Sequence, residues 1–202
     1  GGLTKVFAGI VIAPIGGIIF GLLVTTLIIT LFASRKPGPV NKTFGRLQII
    51  SSAWFALTHG ANDGQKTMGI IVLILFSAGL IPDLEMPLWV IFAAATAMGL
   101  GTFFGGYKVI KTLGVKITKL KPYQGFAAET SGGLMLAVFA VFGIPASTTH
   151  AITGTIMGSG AARRKRAVRW KVSRQIVFSW IITIPGAAGL GIGFTYLINL
   201  FV

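Results

Sequence analysis

The stretch that decides the fold is His59–Gly69, HGANDGQKTMG, which lies in the middle of an apolar segment spanning residues 47–80. As one helix this segment would be roughly 50 Å long, against a hydrocarbon core of roughly 30 Å. The stretch combines a histidine, an asparagine, an aspartate, a glutamine and a lysine with three glycines. Ionisable groups at membrane depth are costly and usually face a partner or an ion path, and glycine lets a helix unwind there. We therefore predict an interrupted helix that carries a site, rather than a loop of a soluble protein.

The composition favours a membrane protein. Apolar residues make up 53% of the 202 residues, the mean hydropathy is +0.83, and only four residues are acidic. A soluble domain of this size carries far more charge. The net charge of +14 does not indicate nucleic acid, because the basic residues lie between the apolar segments, where they report topology. Without cysteine the chain has neither disulfides nor thiolate metal sites.

We expect an all-α polytopic membrane protein in which residues 1–202 form a single transmembrane domain. The predicted elements are a helix at 6–34, the interrupted helix at 47–80, a helix at 88–107, a helical hairpin at 124–162 and a helix at 175–202. The hairpin turns at GIPASTTH, residues 143–150. Its second arm is short for a span, so a full crossing and a re-entrant element both stay open.

The basic residues cluster in three connections, residues 35–46, 108–121 and 163–174. In connection 81–87, by contrast, the charged residues are both acidic, Asp83 and Glu85. Cytoplasmic loops carry the excess of lysine and arginine. We therefore expect the three basic loops to be cytoplasmic in a multi-pass protein of the plasma membrane, with 81–87 outside.

The hairpin turn offers an anion site. Ser147 follows a proline and suits the N-cap of the next helix, with Thr148 and Thr149 in its first turn and His150 beside them. Free N–H groups at a helix start attract anions, and the three hydroxyls add donors. An ordinary capped helix would explain the serine but not three consecutive hydroxyls.

The GAND stretch offers donors and a carboxylate. Asn62 can donate to an oxyanion, while Asp63 suits Na⁺ or a proton. His59, Gln65 and Lys66 are secondary candidates, and Lys66 could equally be only a counter-charge for Asp63.

Glu129 is the only charged residue between 124 and 143. A carboxylate among small residues at membrane depth is a candidate cation or proton site, with Na⁺ the only metal we expect at Asp63 and Glu129. The alternative without a functional role is that Glu129 lies near the inner membrane surface, because Lys121 is only eight positions away.

The GAND stretch and the STTH turn are expected at the same depth within the membrane. His59 lies 13 positions after Arg46, and His150 lies 13 positions before Arg163 (59 − 46 and 163 − 150). Polar breaks in two elements that meet inside the bilayer are typical of secondary-transporter sites.

An enzyme is not expected. GANDGQKT departs from a phosphate-binding P-loop in its glycine spacing and has no strand leading into it. The two histidines lack a third ligand at zinc spacing, and no nucleophile–base pair is apparent. We expect no cofactor besides a co-transported Na⁺ or H⁺.

Together, HGANDGQKTMG, GFAAE and GIPASTTH resemble the inorganic phosphate transporter (PiT) family, and the NDGQK form resembles the C-terminal half of its bacterial members. The family carries such motifs once in each of two inverted halves. The resemblance implies a phosphate site shared between the halves, to which this half contributes Asn62, Asp63, Ser147, Thr148 and Thr149. It also implies that Glu129 matters for transport or ion coupling.

The function that follows is symport of inorganic phosphate with Na⁺ or H⁺. Transport of sulfate or another tetrahedral oxyanion is the alternative within the class, and a non-transporting membrane subunit is the alternative outside it. Because the chain begins Gly-Gly without methionine and holds one copy of each motif, we expect it to be a piece of a longer protein that pairs with the N-terminal half. A homodimer in the lipid bilayer is a further expected assembly, and nucleic acid is not an expected partner.

The topology predicts an outcome for cysteine labelling. Single cysteines at Lys116 and Arg166, in this cysteine-free background, should react with a membrane-impermeant maleimide only from the cytoplasmic side, because both positions lie in basic loops. A cysteine at Asp83 serves as the control and should be labelled from outside. External labelling at the two basic positions would contradict the scheme.

Overall fold

The computed structural model describes residues 2–200. These residues form helices joined by turns and loops, and no strand occurs among them. The α-helices are α1 Gly2–Leu31, α2 Pro37–Ser77, α3 Leu88–Lys111, α4 Pro122–Val141, α5 Thr148–Ala161 and α6 Trp170–Asn199. A π-helical segment, Thr112–Ile117, extends α3, and a 3-10 turn, Lys165–Ala167, precedes α6. The predicted all-α class is confirmed.

Among the described residues, three helical stretches are long and apolar enough to cross a membrane: Thr4–Leu31, Leu88–Ile117 and Trp170–Asn199. They overlap the segments that the sequence offered as uninterrupted spans. Large apolar side chains cover much of their outer surfaces, as expected where lipid, and not water, is the solvent.

The predicted interruption at 47–80 is wrong, because α2 is one helix of 41 residues from Pro37 to Ser77. Unwinding a helix in apolar surroundings leaves backbone N–H and C=O groups unpaired, at several kcal/mol each. Glycine within a helix costs only about 1 kcal/mol. The polar side chains also find partners without a break, since those of Asn62, Asp63 and Lys66 make contacts three or four residues apart.

The helical hairpin at 124–162 is present as α4 and α5. The turn between them contains Gly143, whose φ of +59° lies in the left-handed region that favours glycine. Ser147 is the N-cap of α5, as predicted, and its hydroxyl accepts a hydrogen bond from the N–H of His150 at 3.3 Å. The turn therefore places the first residues of α5 beside the middle of α2.

Helix α5 packs most closely against α1. A Cβ added at Gly17 or Gly21 of α1, or at Gly154 or Gly158 of α5, would collide with the backbone of the facing helix. Small residues let helix backbones approach in this way. Helix α4 and the π-helical segment cover other faces of α5. As a result α5 is buried from Thr153 to Gly160 and forms the centre of the bundle.

Helix α6 stands largely apart from the bundle. Every residue from 181 to 199 is exposed, and Ser173 is the buried residue of the helix. Its link to the site region is Trp180, whose indole lies against the His150 ring with a centroid separation of 3.8 Å.

The close α1–α5 contact predicts that Gly158→Ala destabilises the protein. The new methyl group would meet the carbonyl oxygen of Ile18, which is backbone and cannot rotate away. The expected loss is about 1–3 kcal/mol, measured as a lower thermal unfolding midpoint in detergent. The matched control is Gly99→Ala on α3, where a Cβ meets nothing within 4 Å. Equal stability of the two variants would contradict the proposed packing.

Candidate functional site

Asp63 joins the two motifs that the sequence singled out. Its Oδ2 atom accepts a hydrogen bond from Thr148 Oγ1 at 2.8 Å and lies 3.1 Å from His59 Nε2. Its Oδ1 atom accepts from Lys66 Nζ at 3.0 Å. The GAND stretch of α2 and the first turn of α5 are therefore in direct contact.

Lys66 makes a second link between the same elements. Besides the ion pair with Asp63, its Nζ atom donates to the carbonyl oxygen of Ala146 at 2.8 Å. In this arrangement Lys66 is the counter-charge of Asp63, one of the two roles that the sequence left open. The pair holds the hairpin turn against α2.

The three hydroxyl residues of the turn point to different environments. Ser147 caps its own helix, the buried Thr148 donates to Asp63, and Thr149 is exposed at a cavity wall. The sequence treated them as one set of donors. The structure engages two of them with protein groups and leaves Thr149 at the open surface.

Glu129 on α4 faces donors from α2 that the sequence analysis missed. Its carboxylate accepts hydrogen bonds from Ser51 Oγ at 2.6 Å, Ser52 Oγ at 3.0 Å and Gln48 Nε2 at 3.4 Å. Within the described residues it has no cationic partner within 4 Å. Carboxylate, hydroxyl and amide oxygens are the ligands that hard cations prefer.

A signal for these partners exists in the sequence. Gln48, Ser51 and Ser52 stand at i, i+3 and i+4 in an otherwise apolar stretch, which places them on one helix face. A polar face within an apolar helix is expected to meet a polar partner.

One cavity of about 850 Å³ lies among α2, α3, α4 and α5. Its polar wall includes Glu129 with Gln48 and Ser52 at one part and the His59, Thr148 and Thr149 side chains at another. Much of the remaining wall is apolar or glycine, with Gly101, Gly105 and Gly106 contributed by α3. The two candidate centres therefore open into a shared space.

Six predicted residues do not line this cavity: Asn62, Asp63, Gln65, Lys66, Ser147 and His150. Asp63 is reached from it only through Thr148, which does line it and donates to its carboxylate. Asn62 donates to the Thr58 carbonyl oxygen of its own helix at 2.9 Å, and Gln65 is exposed on α2. His150 lies beneath Trp180, and its Nδ1 atom is buried without a hydrogen-bond partner in the described part of the chain.

The model of the phosphate transporter family matches residues 32–191, which is well over half of the chain. The chain belongs to the phosphate transporter family. This confirms the resemblance carried by the motifs and shows a family of transporters, not of enzymes.

Relatives extend over nearly the whole chain. A probable low-affinity inorganic phosphate transporter of Rhizobium meliloti (strain 1021) is 47% identical over 188 residues, which are 93% of this chain and 56% of the relative. A probable low-affinity inorganic phosphate transporter of Bacillus subtilis (strain 168) is 38% identical over 200 residues, which are 98% of this chain and 60% of the relative. The chain thus spans little more than half the length of these relatives.

A solved structure described as the sodium-dependent phosphate transporter is similar in fold. It aligns with a TM-score of 0.64 at 28% sequence identity, covering 90% of this chain and 54% of that protein. Together with the apolar helices, the family match identifies a multi-pass membrane protein.

The Glu129 contacts predict that Ser51→Ala lowers stability. Ser51 is buried and makes the shortest bond to the carboxylate, and losing a donor to a charged group costs about 1–3 kcal/mol. Thermal unfolding of the purified protein measures the loss. In the Glu129→Gln background the same substitution should cost less, because the charge is already gone. The control, Ser179→Ala, removes an exposed hydroxyl that bonds only its own helix. A Ser51→Ala loss no larger than that of the control would contradict the assignment.

Proposed function

We propose that the transporter to which this chain belongs carries inorganic phosphate across the membrane together with Na⁺ or H⁺. The observation that carries this proposal is the shared cavity, which Glu129 with its donors and the start of α5 both line. A carboxylate of the kind that suits a cation and a helix start of the kind that suits an anion therefore face one space. Such an arrangement suits a symporter, in which two ions of opposite charge occupy the site together.

The balance of charge within the site supports binding of phosphate together with a cation. A phosphate dianion that enters a site of low dielectric needs compensating charge and hydrogen-bond donors. Thr149 at the cavity wall and the N-terminal end of α5 supply donors and partial positive charge. Glu129 would hold the cation, and Asp63 would hold a second cation or the proton.

Asp63 also bears on the choice between phosphate and its alternatives. Sulfate is fully deprotonated at neutral pH, whereas monohydrogen phosphate keeps one O–H donor. A carboxylate beside the anion can accept from that donor, and it repels an anion that has none. For this to occur the Thr148 hydroxyl would turn from Asp63 towards the anion, so both would take part in binding.

The solved relative described as sodium-dependent supports Na⁺ over H⁺. The direct test is uptake of labelled phosphate by proteoliposomes of the complete transporter, with Na⁺ and pH gradients imposed separately. Uptake driven by the Na⁺ gradient alone supports Na⁺ symport, and uptake driven by the pH gradient alone assigns H⁺. Labelled sulfate taken up equally well would contradict phosphate selectivity, and no uptake of either anion would favour a non-transporting subunit.

The complete assembly also belongs to the proposal. The bundle leaves α6 exposed from residue 181 to residue 199, and the chain spans only 56% and 60% of the two relatives. We infer that the N-terminal half of the same transporter closes the cavity, as two repeats do in transporters of this type. The basic loops 35–46, 108–121 and 163–174 would lie in the cytoplasm, and a second copy could complete a homodimer.

The roles within the site predict different defects for two variants. Thr148→Val keeps the shape but removes a donor, so phosphate affinity should fall by about 1–3 kcal/mol, seen as a raised KM for uptake. Asp63→Asn keeps the size but removes a charge, so it should chiefly alter the dependence of uptake on Na⁺ or pH. Both effects are measured in proteoliposomes.

The matched control for the first variant is Thr30→Val, because Thr30 is exposed and donates only to a carbonyl of its own helix. It should leave uptake unchanged. If Thr148→Val and Asp63→Asn both retained wild-type uptake and ion dependence, the site would lie elsewhere.

A further inference from the structure

A second, smaller cavity of about 210 Å³ lies at the end of the bundle where α1 and α5 end and α2 and α4 begin. Three basic residues line it, each from a different connection: Arg35, Lys121 and Arg163. The last turns of α1 supply its apolar wall with Ile28, Ile29 and Phe32. The cavity therefore combines positive charge with apolar surface at a helix-end boundary.

The three charges have no protein counter-ion there. The chain has only four acidic residues, and none of them lines this cavity. The ion pairs found among residues 2–200 are both made with Asp63. Like charges gathered in one cavity repel each other, so the arrangement favours an anion between them.

Helix dipoles explain only part of this cluster. Arg35 and Arg163 follow the C-terminal ends of α1 and α5, where a cation is favourable. Lys121, by contrast, is the N-cap residue of α4, where the helix end is itself partially positive. The preference of basic residues for cytoplasmic loops accounts for a lysine in this connection. It does not account for three cations lining one cavity, which a bound anion would stabilise.

Asn41 adds an unpaired acceptor. This residue also lines the cavity, and its Oδ1 atom is buried without a hydrogen-bond donor in the described part of the chain. An unpaired buried polar atom is unfavourable, because it has lost its hydrogen bonds to water without gaining others. A ligand with a hydroxyl group next to its negative charge would satisfy it.

We propose that this cavity binds the headgroup of an anionic phospholipid of the phosphatidylglycerol type. The three basic residues would hold the phosphodiester, a headgroup hydroxyl would donate to Asn41, and an acyl chain would lie along the apolar wall of α1. Basic pockets between membrane helices bind such headgroups. Free phosphate shares the charge but makes no use of the apolar wall, so the lipid fits the whole cavity better.

The test uses the complete transporter in nanodiscs with equal amounts of phosphatidylglycerol and phosphatidylcholine. Native mass spectrometry of the released protein gives the ratio of the two lipids retained. Arg35→Gln combined with Arg163→Gln should lower that ratio about tenfold or more, because both side chains would bond the phosphodiester directly through charge-assisted hydrogen bonds. The matched control is Lys36→Gln combined with Arg164→Gln, which removes the same charge from exposed neighbours that do not line the cavity. It should change the ratio much less.

Lys121→Gln provides an independent variant. The helix start keeps its hydrogen bond from the main-chain N–H of residue 121 to Gln124 Oε1 at 3.0 Å, because only the side chain changes. This variant should lower the ratio about fivefold. An equal effect of the control pair would overturn the proposal, as it would show attraction by net charge alone. Displacement of the lipid by millimolar inorganic phosphate would also overturn it, because the site would then belong to the free ion.

Discussion

The contact between the Asp63 carboxylate and the Thr148 hydroxyl, 2.8 Å long, is the interaction on which the arrangement of the site depends. It joins the middle of the longest helix to the first turn of the hairpin's second arm. A carboxylate in apolar surroundings is stable only with several donors, and His59, Lys66 and Thr148 together provide them. The need to satisfy one charge thus holds two distant parts of the sequence together.

The sequence predicted those parts of the fold that depend on local patterns. Long apolar windows predicted the helical class. Ser147, two positions after Pro145, predicted the start of α5, since it is the N-cap of the helix that begins at Thr148. The contact between the two motifs was also predictable, since both lie at equal distances from basic loops. What the patterns could not give was the packing partner of each helix, because the α1–α5 contact depends on where glycines of separate segments meet.

One prediction failed and one set of contacts was missed, both for physical reasons that the structure makes visible. The glycines of the GAND stretch suggested an unwound backbone, but glycine only permits unwinding, and the unpaired amides of a broken helix in an apolar setting are far more costly. The donors to Glu129 were overlooked because Ser51 and Ser52 are common, weakly polar residues in membrane helices. Their spacing with Gln48 becomes informative only once a carboxylate is known to face them.

The glycine contact between α1 and α5 has a consequence for motion. Backbones touch directly where Gly21 meets Thr155 and Gly158 meets Ile18, so no side chain there can absorb a displacement by rotating. We therefore expect the two helices to shift together. The hydroxyl residues at the start of α5 would then be carried with α1. Relative movement would be confined to the looser boundaries of the bundle, such as the one between α2 and α3, where the large cavity already separates the helices.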